Sequence, residues 1–387
     1  MCATFRSSGH NIEMNSKIGL VMTGGGARAA YQVGVVRAIY EILEKPDHLF
    51  DVISGNSAGA INSTYLASMA QNWDNATSNL VDLWTKIRPQ DVFDLRTKTI
   101  SQLGFKWISG AMLGGLTAKG GNINHLLDTS PLRNFLNKQV DFDDIKKNLD
   151  NKNLHGIALS TTNYNSGSSV IFYQGDNEIY DWIRSDRFSH RTDLNLDHLM
   201  ASSAIPFFFP PIKVQDSYYG DGCIRQTTPL SPAIHLGADK IISIGVRYPH
   251  NQNRMQDMAF SPFGNPSMGQ ILGVLLNSIF LDSLEADVER VAGINTLVAS
   301  GKNPYLKEIP ILMIRPSRDL GKMTEKLNKE LPGSLRYLLK GIGVSDTEGL
   351  DLLSYLAFDD SYTKPLIELG YDDTRLIKND ILRFIDV

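Results

Sequence analysis

Three short motifs carry residue types that can do chemistry together. Gly55-Asn56-Ser57-Ala58-Gly59 is a G-x-S-x-G pattern, in which small flanking residues permit a sharp turn that exposes a serine hydroxyl. By chance the pattern is expected about 0.2 times in a chain of this composition, so its context decides. A serine hydroxyl is a weak nucleophile until a base accepts its proton. The best base is Asp221, in Tyr218-Tyr219-Gly220-Asp221-Gly222-Cys223, where glycine on both sides allows close approach to another loop. Asp-Gly is also a common hairpin turn, and that reading competes. The third motif, Gly24-Gly25-Gly26-Ala27-Arg28-Ala29, can aim backbone N–H groups at a developing negative oxygen. Two other readings compete for it. One is a plain tight turn. The other is a dinucleotide site, since G-x-G-x-x-A fits the loose fingerprint. That site also wants an acid at the end of the second strand, where Ser54-Gly55-Asn56 stands, with Asp51 at the strand's beginning.

The elements that must position these residues can be read from the apolar pattern. Ile18 to Met22 reads as a buried strand ending at the glycine cluster, and Ala27 to Leu43 as a helix. Phe50 to Ser54 is a second strand and Ala60 to Met69 a second helix. This β-α-β-α opening argues for a parallel sheet with both faces covered. Asp128-Thr129-Ser130-Pro131 starts a helix with a capping hydroxyl. Leu154 to Leu159, Ser169 to Tyr173, Lys240 to Tyr248 and Ile309 to Ile314 are further strands. Leu194 to Ala204 is a short helix and Gln270 to Ala299 a long helical stretch. Beyond Arg318 the chain is helical and amphipathic, with breaks at Pro332-Gly333 and Gly341. The Gly-rich apolar excursion from Ser101 to Gly121 is expected to be a surface loop, lid or membrane-contacting segment.

Composition narrows the class. The 387 residues are 42% hydrophobic and 21% charged, which fits a globular protein. With Lys+Arg 38 against Asp+Glu 42, the net charge of −4 leaves no excess of positive charge for nucleic acid. Two cysteines, Cys2 and Cys223, make no disulfide framework. No span of about 20 apolar residues and no signal peptide is visible, so any membrane contact is expected to be peripheral. The eight histidines are scattered, without metal-binding spacing. An ordinary α/β-hydrolase is also disfavoured. That fold places several strands before its serine and a histidine late in the chain, whereas one β-α unit precedes Ser57 and the last histidine is His250.

Taken jointly, the motifs resemble the patatin-like phospholipase family. That family has a glycine-rich oxyanion motif on the first strand-helix turn, a G-x-S-x-G serine on the second and a later Asp-Gly-Gly or Asp-Gly-Ala. Gly26 to Val35, Asp128 to Leu132, Ala201 to Pro211 and Leu331 to Leu339 also look like the family, so the resemblance covers nearly the whole chain. Two positions depart from the family pattern: Ala29 stands where glycine is frequent, and Cys223 where glycine or alanine follows Asp-Gly. A cysteine at 223 could make the site sensitive to oxidation or thiol reagents.

The resemblance implies a three-layer α/β/α fold with a mostly parallel central sheet. Residues 17–316 would form the patatin-like domain and 317–387 a C-terminal helical extension packed on it. It implies a Ser57–Asp221 dyad without histidine, and N–H groups around Gly24, Gly25 and Gly26 as the oxyanion hole. Arg28 would orient that loop, meet a lipid phosphate or serve as an ordinary salt-bridge partner. Gly55, Asn56, Ala58 and Gly59 would shape the elbow, and Gly222 and Cys223 complete the aspartate motif. The implied activity is a lipid acyl hydrolase, phospholipase A first, acting through an acyl-enzyme without metal or cofactor. A lysophospholipase, neutral-lipid esterase or thioesterase on the same dyad is the alternative, and a non-catalytic lipid-binding protein the rival from another class. The implied partners are a phospholipid or other lipid ester and a transient membrane surface, with no nucleic acid. The expected location is the cytoplasm, with signal-peptide-independent export left open. Phe207-Phe208-Phe209 is a candidate wall for an acyl pocket, with core packing as its alternative.

Overall fold

The computed structural model describes residues 16–96, 125–249, 264–301, 306–325, 327, 331–345 and 347–386. The excursion at 101–121 and His250 lie outside the described residues. Strands β1 (Ile18–Met22), β2 (Val52–Gly55), β3 (Gly156–Asn163), β4 (Ser169–Gly175), β5 (Ile183–Arg184), β6 (Arg187–Arg191), β7 (Ile212–Val214), β8 (Ser217–Asp221), β9 (Lys240–Ile244) and β10 (Ile311–Ile314) form one sheet. Its main path runs β10-β9-β1-β2-β3-β4-β6-β5. From β10 to β3 every pairing is parallel.

The apolar runs are continuous because the sheet is covered on both faces. Leu20 and Met22 of β1 join one buried cluster, while Val21 between them joins the other. The first cluster is shared with helix α1 (Ala30–Ile42), helix α2 (Ala58–Ser68) and the C-terminal helices. The second is shared with the Ser231–His235 and Asp282–Ala299 helices. The fold is therefore a three-layer α/β/α arrangement. The C-terminal helices close over α1. Tyr371 Oη donates to Glu41 Oε2 at 2.6 Å, and Tyr31 Oη to Asp373 Oδ2 at 3.1 Å. Leu352, Leu366 and Ile381 are fully buried in the same cluster as Leu20. No described helix is long and apolar enough to cross a membrane.

One register sets the site. β3 is paired along one edge by β4, from Gly156 to Thr162. Its other edge takes β2 as far as Gly55 opposite Leu159, and then β8 from Asp221 opposite Thr161. The end of β2 and the end of β8 thus share one edge and nearly meet, at the C-terminal edge of the parallel strands, where α/β sheets place their ligands.

Several elements differ in extent from the sequence reading. Residues Gly26–Ala29 form a separate 3₁₀ turn before α1, and β9 stops at Ile244. The long helical stretch is two helices, Met268–Phe280 and Asp282–Ala299, interrupted at Leu281. At the Ser130–Gln139 helix the cap is the Asp128 carboxylate, which accepts from Ser130 N at 2.8 Å, rather than the Thr129 hydroxyl. Asp51 is occupied at the start of β2, where its carboxylate accepts from Ile18 N at 2.7 Å and pairs with His48. The dinucleotide reading thus lacks its acid, because β2 ends in Ser54-Gly55.

Candidate active site

Ser57 occupies the turn between β2 and α2 with φ 56° and ψ −133°, a backbone conformation that costs a non-glycine residue about 1–3 kcal/mol. The surroundings hold it there. Ser57 N–H donates to Ser202 O at 3.0 Å, and Ser203 Oγ donates to Ser57 O at 3.2 Å. The same segment holds the other end of the site, since Asp221 N–H donates to Ala204 O at 3.0 Å. Asp221 O accepts from Thr162 Oγ1 at 2.8 Å, and its carboxylate Oδ1 accepts from Cys223 N–H at 2.9 Å.

Both reactive groups are buried. Ser57 is 1% exposed and Asp221 0%. Burial disfavours the ionised carboxylate and pushes the Asp221 pKa up to about 7, against smaller lowering effects from the Ser57 hydroxyl and the Cys223 N–H. The Ser57 hydroxyl is thus close enough to act on the carboxylate. Yet Ser57 Oγ and Asp221 Oδ2 both lack a hydrogen bond of full geometry. Long or poorly aligned pairs of this kind are common before substrate binds.

The glycine loop passes directly over Ser57. A methyl group on Gly24 would come within 2.6 Å of both Ser57 Cβ and Cys223 Sγ, so only glycine fits between them. Gly26, at φ 56°, leaves no room for a side chain either, because a methyl there would lie 2.2 Å from Tyr355 O. The Gly24 N–H acts on Cys223 Sγ, which also accepts from Asn56 Nδ2 at 3.3 Å. Among the described residues, the N–H groups of Gly25 and Gly26 have no acceptor.

A buried polar chain braces this loop, and the sequence reading missed it. Trp84 Nε1 donates to Asn62 Oδ1 at 2.7 Å, and Asn62 Nδ2 donates to Gln32 Oε1 at 3.0 Å and Ala29 O at 3.2 Å. Gln32 Nε2 then donates to Thr23 O at 2.7 Å. All three side chains are essentially unexposed. They tie both ends of the Thr23–Ala29 loop to α2 and to the Trp73–Lys86 helix. The one available signal was that α2 carries Asn62, Ser63 and Thr64 in a row and is nevertheless buried on every face.

Arg28 reaches the site through its backbone. Its guanidinium donates to Ser354 Oγ at 2.7 Å, pairs with Asp351 at 2.8 Å and lies 4.6 Å from the Tyr355 ring centre. Arg28 therefore links the loop to the Leu350–Leu356 helix. A groove of about 750 Å³ lies on that side, lined by Arg28, Val246 and Asp351 among others, and neither Ser57 nor Asp221 lines it. Cys223 is buried, and burial together with Asp221 pushes its thiol pKa well up, which disfavours the reactive thiolate.

Ser57 instead opens onto a narrow apolar slot lined by Ile61, Trp84, Leu136, Phe209 and Phe358, with Gly26 and Ser203 at the serine. Its free volume is about 20 Å³, room for little more than one water. Of the three consecutive phenylalanines, Phe209 lines this slot and Phe208 is in the core. Phe207 is 65% exposed, at φ 68°. Among the described residues, no histidine lines this slot. His198 Nδ1 accepts from Asn195 N at 3.1 Å, and His235 stacks on Trp182 with ring centres 4.6 Å apart.

Residues 20–234, more than half of the chain, match the family model for patatin-like phospholipase. Among solved structures the chain is similar to VipD from Legionella pneumophila, at 12% identity and TM-score 0.35, covering 94% of this chain and 67% of that one. It is also similar to human GIVD cytosolic phospholipase A2, at 14% identity and TM-score 0.45, covering 97% of this chain and 60% of that one. The chain thus spans about three fifths of the human enzyme's length. No curated protein matches it significantly. The motif-bearing strands and turns, from the glycine loop through the serine elbow to Asp221, all fall within the matched span, and the chain belongs to the patatin-like phospholipase family.

Proposed function

We propose that the protein is a lipid acyl hydrolase, a phospholipase A, working through Ser57 and Asp221. The observation that carries this reading is the placement of Asp221 beside Ser57 at the shared edge of β3, buried and with its pKa raised to about 7. A carboxylate poised near neutral pH is matched to accepting a hydroxyl proton. In the reaction Ser57 Oγ attacks the ester carbonyl while its proton passes to Asp221. The negative oxygen of the tetrahedral intermediate takes the free N–H groups of Gly25 and Gly26. The carbon–oxygen bond to the alcohol breaks, Asp221 returns the proton to the leaving lysolipid, and the acyl group stays on Ser57. Water, deprotonated by Asp221, then attacks the acyl carbonyl, the bond to Ser57 Oγ breaks, and Asp221 returns the proton to Ser57 as the fatty acid leaves. Substrate held in an aggregate requires a transient contact with a lipid surface.

The test is incubation of the purified protein with mixed phospholipid vesicles and with a fluorophosphonate probe. Release of fatty acid and lysolipid, together with probe on the Ser57 peptide, is expected from wild type and not from Ser57→Ala. Failure of both lipid release and labelling would leave the chain as a lipid binder at most.

A further inference from the structure

The slot beside Ser57 is built mostly from residues inside the family match, including Ile61, Trp84, Leu136 and Phe209. Phe358 completes it from outside, on the connector between the Leu350–Leu356 and Asp360–Leu376 helices. Its ring stacks on Trp84, with centres 6.2 Å apart, and meets Phe93 edge-on at 6.2 Å, while Phe93 lies 6.4 Å from Phe209. The ring is thus one member of an aromatic cluster that borders the slot beside Ser57.

The remaining room, about 20 Å³, is close to that of a single water, and a methylene is of similar size. Close-packed interiors do not yield continuously, so a long chain enters only if a wall moves or is absent. The walls are not equal in this respect. Trp84 is fixed through its Nε1–H to Asn62, in the chain that braces the glycine loop. Ile61 lies on α2, immediately before Asn62. Phe358 has no tie to the catalytic loops through its side chain. Its ring is held by ring contacts and apolar packing, on a connector that follows the helix end at Ala357.

We propose that Phe358 limits the length of acyl chain that reaches Ser57, so that the C-terminal segment sets the substrate selectivity of a site whose chemistry lies in the family-matched part. This rests on the acyl-hydrolase reading. With the ring in place a long acyl chain enters only by displacing it, so long esters are cleaved at a penalty relative to short ones, and deleting the ring removes that penalty.

The test compares full-length wild type with Phe358→Ala, Phe358→Leu and Phe358→Trp on p-nitrophenyl butyrate and p-nitrophenyl palmitate in one detergent. The readout is the palmitate-to-butyrate ratio of kcat/KM, which cancels any loss of active protein. The ratio is expected to rise by about tenfold or more in Phe358→Ala, since each methylene accommodated in an apolar pocket carries a large factor. It should rise less in Phe358→Leu and fall in Phe358→Trp. Tyr337→Ala, on an 80% exposed side chain of the same segment, should leave it unchanged. Circular dichroism melts identify the folded variants, and Phe358→Leu keeps an apolar filler should the alanine variant unfold. A wild-type ratio in the folded Phe358 variants would overturn the inference. If wild type cleaves neither ester and its Ser57 takes no fluorophosphonate, the hydrolase reading itself fails and takes this inference with it.

Discussion

Ser202 and Ala204 lie two residues apart, and their carbonyls receive the N–H groups of Ser57 and Asp221, each at 3.0 Å. One short turn at the end of the Leu196–Ser202 helix therefore sets the spacing of the two reactive side chains. Ser202 Oγ reinforces it by donating to Ser160 O at 2.7 Å and accepting from Ser57 N–H at 3.2 Å. Ser202→Ala should lower stability by about 1–3 kcal/mol, the usual worth of two hydrogen bonds. It should lower kcat more than it changes KM, because the turn positions the catalytic groups and makes no wall of the slot. Urea unfolding and steady-state kinetics on a soluble ester check both.

Removing the nucleophile separates strain from chemistry. Ser57→Ala and Ser57→Gly should both abolish ester hydrolysis. Ser57 is held at φ 56°, where glycine sits without penalty. Ser57→Gly should therefore be more stable than Ser57→Ala by about 1 kcal/mol, after the entropy cost of glycine is set against the relieved strain. Thermal melts of the two variants test this, and a less stable glycine variant would contradict the strained elbow.

Asp221 makes two pH predictions. Its ionised form is the base, so kcat/KM should rise with pH through an acid limb near 7. The limb does not belong to buried His198 or half-buried His235, because desolvation lowers both to about 4. His198→Gln and His235→Gln should keep the limb, whereas Asp221→Asn should lose orders of magnitude in turnover. The stability effect follows from the direction of the shift. The folded pKa lies above the ordinary 3.8, so the group's contribution is complete below about pH 3.8 and is lost as pH rises to 7. Asp221→Asn should then be more stable than wild type at pH 8, by a few kcal/mol at most at about 1.4 kcal/mol per pKa unit. The gain should vanish near pH 4.

The chain Trp84–Asn62–Gln32 predicts a rate effect away from the reacting atoms. Asn62→Ala leaves the Trp84 N–H and the Gln32 carbonyl unpaired in the core and should cost about 1–3 kcal/mol for each. If the chain aims the glycine loop, kcat should fall by about 10-fold or more with KM little changed, in line with the loss of an oxyanion donor's alignment. A stability loss with unaltered kcat in the folded fraction would reduce the chain to a structural role.

Cys223 should resist thiol reagents in the folded protein. It is 5% exposed and its thiol is held protonated. Iodoacetamide should leave activity intact and modify the Cys223 peptide only after denaturant is added, as peptide mass spectrometry would show. Fast alkylation of folded protein with loss of activity would contradict the buried placement.

The sequence by itself determined the local chemistry of the site. Gly55-Asn56-Ser57-Ala58-Gly59 dictates a sharp strand-helix turn, the glycine run after Met22 dictates a tight loop without side chains over its N–H groups, and the apolar runs dictate a covered parallel sheet. These are legible because each depends on neighbours within a few residues. Only the tertiary structure decided how distant segments meet. Asp221 reaches Ser57 through the register of β8 on β3, and nothing in Gly220-Asp221-Gly222 distinguishes that strand end from a hairpin turn. Arg28 was free in sequence to face a ligand; the Leu350–Leu356 helix, arriving from the far end of the chain, supplies Asp351 and Ser354 to hold it. Phe358 joins the slot in the same way, and Asn62 and Gln32 became loop braces only when α2 was packed against the glycine loop and the Trp73–Lys86 helix. Pairing register and packing are long-range terms, fixed by which surfaces exclude water together, and no short window of sequence contains them.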